Sequence, residues 1–139
     1  MQRFILAFSI TALLLVAAAC SSGGGGATGK VIKSAPVGNL TATLSNSAGQ
    51  LKHGGDEFTL SFTDASGKNV EVGAVALTFH MPGMGTMAPM NDQTTFTTTN
   101  TPGVYRGKVK VEMAGEWQAQ LTYEGTAGQG KTSFPVMVQ

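Results

Sequence analysis

The chain has 139 residues, of which 42% are hydrophobic and 12% are charged, and this length fits one domain rather than two. Nine basic against eight acidic residues leave a net charge of +1, which excludes the basic excess expected of a dedicated nucleic-acid binder. The single cysteine excludes an internal disulfide and any metal site built from several cysteines.

Residues 1–19 have the layout of a secretory signal peptide. Arg3 precedes an apolar run, and small residues then lead directly to Cys20. The end of this run resembles a bacterial lipobox, in which the cysteine becomes the lipidated first residue of the mature protein, although Ala17 stands where leucine is usual. We therefore expect a lipoprotein attached to the membrane through Cys20. A plain cleaved signal or an uncleaved anchor is the alternative.

Residues 20–30 are rich in glycine and serine, a composition typical of a flexible tether. The tether is expected to keep the folded domain, residues 31–139, close to the membrane. Ser21, directly after the cysteine, favours the outer membrane over the inner membrane if the host is Gram-negative. In any other host the expected location is the extracellular face of the cell envelope.

The rest of the chain predicts about seven short strands. Apolar and polar residues alternate with a period of two, as in Phe58–Phe62, Val75–Met81 and Trp117–Tyr123, and turn residues recur every 8–12 positions. A threonine-rich strand is predicted over Thr94–Thr99, and a loop over Gly125–Gly130. We expect an all-β fold, an immunoglobulin-like antiparallel β-sandwich.

A methionine-rich loop stands out at residues 79–92. Four of the seven methionines occur here at every third position, and Pro and Gly residues between them disfavour a helix; they are Met81, Met84, Met87 and Met90. A polyproline-like path has three residues per turn and would align the four thioethers on one side. Thioethers are soft, neutral ligands that select Cu(I), with Ag(I) as a mimic. His80, at the start of the loop, is a candidate fifth ligand, although strand alternation turns it away from the core face.

Two further side chains are weaker candidates for this site. Trp117 is expected to be the core tryptophan of the sandwich, and capping a Cu(I) ion through its ring face is the alternative. Met113 lies at a predicted hairpin end, where packing is expected and metal ligation is again the alternative.

The same loop also fits a purely apolar role. Methionine side chains fill irregular gaps and form adaptable contact surfaces, so the loop is alternatively a plug at one end of the sandwich or a surface for docking a protein. Replacing methionine with leucine distinguishes the two readings, because leucine keeps the apolar bulk and removes the sulfur.

The sequence resembles the YtkA-like family in three stretches. These are Met81–Met87, which has the Met-Pro-x-Met-Gly pattern, Pro102–Gly107 and Ala114–Ala119. The resemblance extends over about residues 35–138 and implies an immunoglobulin-like domain of secreted or membrane-attached proteins. It also implies copper binding through Met84 and Met87, with a copper-efflux or oxidase-assembly protein as partner. Thr86 stands where many members of the family have a histidine.

No arrangement of acid, base and nucleophile in the sequence indicates catalysis. We therefore expect a Cu(I)-binding protein of the cell envelope rather than an enzyme. The alternative function is an interaction or structural module of the envelope that binds no metal.

Overall fold

The computed structural model describes residues 29–139, and within that range the chain consists of β-strands joined by turns and irregular loops, without a helix. Its strands are β1 (Lys30–Val37), β2 (Leu40–Asn46), β3 (Gly54–Thr63), β4 (Ala74–Met81), β5 (Met90–Gln93), β6 (Thr95–Thr98), β7 (Val104–Val111), β8 (Gly115–Gly125) and β9 (Gly128–Val138). The expected signal peptide, the lipidation site Cys20 and tether residues 20–28 lie outside the described residues.

The strands form two antiparallel sheets. The first has five strands in the order β1-β2-β3-β7-β6, and the second has four in the order β5-β4-β8-β9. Chain neighbours β3 and β4, β5 and β6, and β7 and β8 lie in different sheets, so the chain crosses three times between the layers. The expected all-β sandwich is confirmed, with nine strands in the described residues where the sequence indicated about seven.

The core lies between the sheets because alternate side chains of each strand point inward. Trp117, Phe62 and Phe79 are the largest fully buried side chains. Phe58 of the first sheet meets Phe79 of the second edge to face, with ring centroids 6.4 Å apart. Such edge-to-face pairs add to the apolar burial that holds the layers together.

The strand predicted over Thr94–Thr99 corresponds to β6, but the sequence missed β5 just before it. β5 pairs with β4 in one sheet, whereas β6 pairs with β7 in the other. Thr94 lies between them, and its backbone N–H donates to the Leu77 carbonyl at 2.9 Å. The sequence contains no turn residues between β5 and β6, because the chain remains extended there. The two strands differ only in the strand with which each one pairs.

Strand β1 and the β8–β9 connection also differ from the expectation. β1 was missed because it carries few alternating apolar residues and has an irregularity in its pairing between Val31 and Lys33. The loop predicted over Gly125–Gly130 is instead a tight hairpin, in which Gly125 pairs with Gly128.

The two ends of the sandwich differ in the connections that they hold. One end contains the β4–β5 connection, the start of β1 and the end of β9, and we call it the methionine pole. The other end contains the β1–β2 and β8–β9 turns, the turn at Asp64–Gly67 and the turn at Asn100–Gly103, and we call it the turn pole.

Candidate metal centre

The methionine-rich segment is a hairpin rather than an extended path. Its arms are β4 and β5, in which Met81 lies directly opposite Met90. Further out, Met84 and Met87 form an isolated antiparallel bridge, and the Met87 N–H donates to the Met84 carbonyl at 2.9 Å.

A glycine at the tip explains this departure from the predicted polyproline-like path. Gly85 is the first central residue of the turn over Met84–Met87 and has a φ of +59°. Thr86 does not have a positive φ, because no non-glycine residue of the described range has one. A positive φ at the first central position alone is what a type II′ turn requires. This conformation lets the chain reverse between the two methionines, whereas a polyproline path contains no internal hydrogen bonds. The three-residue spacing therefore places the methionines opposite one another rather than in a single row.

The four methionines fall into two pairs with different surroundings. In the inner pair, Met81 is 6% exposed and belongs to the core, and Met90 is half-buried against it. In the outer pair, Met84 is 67% exposed and Met87 is 47% exposed. The inner pair closes one end of the hydrophobic core, and the outer pair presents its thioethers to solvent.

His80 lies on the outer face of the second sheet, as strand alternation predicts. Its Nδ1 is 2.7 Å from Oδ1 of Asn91, the residue directly opposite on β5. An amide oxygen only accepts hydrogen bonds, so the histidine Nδ1–H donates and the neutral ring keeps its lone pair on Nε2. Metal-binding histidines commonly have their other nitrogen held in this way.

Asn91 is the site residue that the sequence analysis missed. The sequence contained the information needed to find it. In an antiparallel hairpin that pairs Met81 with Met90, the preceding residue of the first strand, His80, pairs with the following residue of the second, Asn91. The Met81–Met90 register therefore predicts the contact between His80 and Asn91. That register becomes visible only once the segment is known to be a hairpin.

Trp117 lies next to Met81 of the inner methionine pair, and its indole is hydrogen-bonded to the backbone of Met113. The pairing of β4 with β8 ends at His80 and Gln118, which places Met81 and Trp117 next to each other across the sheet. Trp117 is completely buried and its Nε1–H donates to the Met113 carbonyl at 3.0 Å. Met113 is half-buried against the core.

The predicted ligands therefore separate into three groups. Met84 and Met87 are exposed at the tip, His80 is on the outer face of the sheet, and the remaining candidates line the end of the core; these are Met81, Met90, Met113 and Trp117. The structure supports the expected core role of Trp117, because its ring is enclosed and its N–H already has a partner.

Harder metal ions have no comparable group of ligands in residues 29–139. No cluster of three or more His, Cys, Asp or Glu side chains in this range is arranged to hold a metal ion. In the same range, no helix has the length and apolar character needed to cross a membrane.

The fold and the hairpin define a small β-sandwich domain with a methionine-tipped hairpin. A family model described as YtkA-like matches residues 34–122, which is more than half of the chain, and the chain therefore belongs to the YtkA-like family. The match includes the whole β4–β5 hairpin and ends before β9, whereas the resemblance in the sequence extended to about residue 138. No curated protein and no solved structure matches the chain significantly.

Proposed function

We propose that this protein binds Cu(I) at the tip of the β4–β5 hairpin and acts in copper chaperoning, sequestration or efflux rather than as an enzyme. The observation that carries the proposal is the outer pair. Met84 and Met87 are held opposite each other across a tight turn, and both remain exposed although the domain has a well-formed core to bury apolar groups. Packing alone gives no reason for this arrangement.

The chemistry of the donors suits a soft monovalent ion. Thioether sulfurs are neutral and polarisable, they are not lost to protonation, and they prefer Cu(I) or Ag(I) to zinc, magnesium or calcium. Met84 and Met87 supply two such donors at the surface. A site on a short turn at the surface of the domain, outside its core, also permits exchange of the ion.

Further donor atoms lie on the same hairpin, in β4 and β5. His80 offers a lone pair on Nε2, because Asn91 holds its other nitrogen. Met90 is half-buried at the base of the hairpin. Met81, Met113 and Trp117 are engaged in or against the core, so their part in the proposal is to support the base of the hairpin.

We further propose that the mature protein is attached to the membrane through lipid on Cys20. The support is the signal-like layout of residues 1–19 and the position of the only cysteine directly after it. The protein would then act in the cell envelope, in the periplasm of a Gram-negative host, beside a copper-efflux or oxidase-assembly partner.

A Cu(I) competition titration of the mature lipoprotein in detergent, under anaerobic reducing conditions, tests the copper part of the proposal. We expect one Cu(I) per chain with a dissociation constant below about 1 µM. The variant Met84→Leu/Met87→Leu should bind about 100-fold more weakly or not at all, because leucine keeps the bulk and removes the sulfur.

Met137→Leu is the matched control for this experiment. Met137 is 51% exposed, similar to the outer pair, but it lies on β9 outside the hairpin. Its replacement should leave the affinity unchanged. Equal affinities in the wild-type protein and the double variant would overturn the proposed site.

The alternative function is a docking module without metal. It is favoured by the same exposure of the outer pair, because exposed apolar groups are typical of contact surfaces. In that case the Met84→Leu/Met87→Leu variant retains function in the cell, whereas Met84→Ser/Met87→Ser loses it.

A further inference from the structure

The large exposed hydrophobic side chains of the described residues all lie at one end of the sandwich. They are Val31, Met84, Met87 and Met137. Met84 and Met87 form the hairpin tip, Val31 is the second residue of β1, and Met137 is the residue before the end of β9. All four belong to the methionine pole.

The described chain also begins at this pole. Gly29 packs against the backbone of Asn46 at the end of β2. The following loop contacts the end of β9, because Leu51 bridges to Val138. Val138 in turn pairs with Gly115 at the start of β8, and the methyl group of Met81 lies 3.3 Å from where a Cβ on Gly115 would be. Gly29 therefore lies at the same pole as the base of the hairpin.

The reach of the chain limits how the domain is oriented if Cys20 is lipidated. Nine residue steps separate Cys20 from Gly29, and a fully extended chain spans at most about 32 Å over that number. β1, which follows Gly29, has 8 residues, so an orientation with the turn pole on the membrane would hold Gly29 roughly 26 Å above the surface. A Gly-rich chain of nine residues has a root-mean-square end-to-end distance of only roughly 15–18 Å, so this orientation would require a nearly fully extended chain and would cost conformational entropy.

We propose that the methionine pole faces and contacts the phospholipid leaflet that holds the lipid anchor. The occupant of this surface is the lipid itself, since apolar side chains at the edge of a tethered domain partition into the region between headgroups and acyl chains. The inference rests on the anchoring part of the proposed function and not on copper binding.

Apolar contact rather than net charge is the basis of the proposed surface. Lys30 is exposed beside Val31 and suits lipid phosphates, but Glu116 lies opposite Met137 on the neighbouring strand. Charges of both signs at this pole predict contact with neutral phosphatidylcholine as well as with anionic lipids. Weak dependence of the contact on salt is expected for the same reason.

Lipid-borne quenchers test the orientation in the full lipoprotein reconstituted into phosphatidylcholine vesicles. Since Cys20 is acylated, an introduced cysteine is the only thiol available for a fluorophore. Thr86→Cys places the label at the hairpin tip, and Ala127→Cys places it in the exposed β8–β9 turn at the other pole. We expect nitroxide lipids to quench the label at position 86 several-fold more strongly than the label at position 127.

A second variant controls for a fluorophore that inserts into the bilayer independently of the neighbouring protein side chains. In the Thr86→Cys background, Met84→Ser/Met87→Ser should reduce quenching, because the neighbouring apolar contacts are removed. Unchanged quenching in this variant, or equal quenching at positions 86 and 127, would overturn the orientation.

The intact mass of the protein measures whether Cys20 is acylated, and vesicle flotation measures whether the protein is attached to the membrane. Both are independent of the quenching experiment. A chain without acyl groups that fails to float would overturn the anchor and with it the orientation. Flotation with equal quenching at both poles would overturn the orientation alone. Neither result bears on Cu(I) affinity, which the titration in detergent measures independently.

Discussion

Two connections at opposite poles of the sandwich, the turn at Asp64–Gly67 and the β4–β5 hairpin, have conformations that are held in different ways. At the turn pole, the Asp64 carboxylate accepts hydrogen bonds from the Ser66 N–H at 2.9 Å and hydroxyl at 2.6 Å and from the Lys68 N–H at 3.1 Å. At the methionine pole, residues 82–89 project from the sheet and all are exposed. Local side-chain chemistry therefore fixes the turn at Asp64–Gly67, whereas strand register and the conformation of Gly85 fix the β4–β5 hairpin.

This difference indicates which residues are free to serve a function. A side chain that shapes a turn or fills the core is constrained by that task, as Asp64 and Met81 are. Met84 and Met87 have neither task, because a backbone hydrogen bond and Gly85 form the turn between them. Their thioethers are therefore available to a ligand without cost to the fold.

The largest expected effect separates the inner from the outer methionine pair. Met81→Ala should lower the free energy of unfolding by about 2–5 kcal/mol, because it leaves a cavity at the end of the core. Met84→Ala should change it by less than about 0.5 kcal/mol, as for other exposed sites. Chemical denaturation of both variants measures the contrast. Similar losses would contradict the division into two pairs.

A smaller contrast is expected between two glycines with positive φ. Gly103 at the turn pole has a φ of +79°, and a Cβ there would collide with the backbone of Val70. Gly85 has a φ of +59° and open space around it. Gly85→Ala should cost about 1–2 kcal/mol from backbone strain alone, and Gly103→Ala about 1–3 kcal/mol more from the collision.

Thermal and denaturant unfolding of the two glycine variants provides the test. Equal destabilisation would show that the Val70 contact is relieved by movement of the loop. Cu(I) affinity is the second readout, since only Gly85→Ala alters the turn that sets the outer pair opposite each other.

Mild oxidation should distinguish the two pairs without mutation. Hydrogen peroxide transfers one oxygen to a thioether and leaves water, and exposed methionines are attacked first. Met84 and Met87 should be converted to sulfoxides before Met81, with loss of Cu(I) binding but little loss of stability. Peptide mapping by mass spectrometry gives the order. Early oxidation of Met81 would contradict its place in the core.

The smallest effect concerns the pH dependence of the turn pole. Hydrogen bonds from the Ser66 side chain and then from the Lys68 backbone lower the pKa of Asp64 below its ordinary value of 3.8. Because the folded-state pKa is the lower one, the carboxylate stabilises the fold above about pH 3.8, and this contribution is lost as the pH falls through the folded pKa.

Ser66→Ala should weaken this dependence and Asp64→Asn should remove it. Unfolding midpoints between about pH 2 and pH 6 measure the change. Copper affinity of both variants should remain that of the wild type, since Asp64 lies at the opposite pole. An unaltered pH profile in Asp64→Asn would show that other carboxylates dominate acid unfolding.

The alternation of apolar and polar residues along the chain was the strongest sequence evidence for the fold. The inward positions of Phe58, Phe79 and Trp117 follow from a period of two, because one face of each strand is buried. The same rule correctly turned His80 outward. It did not reveal β5, since four residues of mixed polarity between a loop and a threonine-rich stretch carry too weak a pattern.

By itself, the sequence determined the sandwich, the methionine-rich segment and the outward direction of His80, because these depend on local composition and on the alternation of side chains. Only the tertiary structure decided that Met81 and Met90 support the core while Met84 and Met87 are exposed, and that Gly29 lies at the same end of the sandwich as they do. These properties depend on strand register and on the packing of distant segments, which join residues far apart in the chain and leave no local pattern.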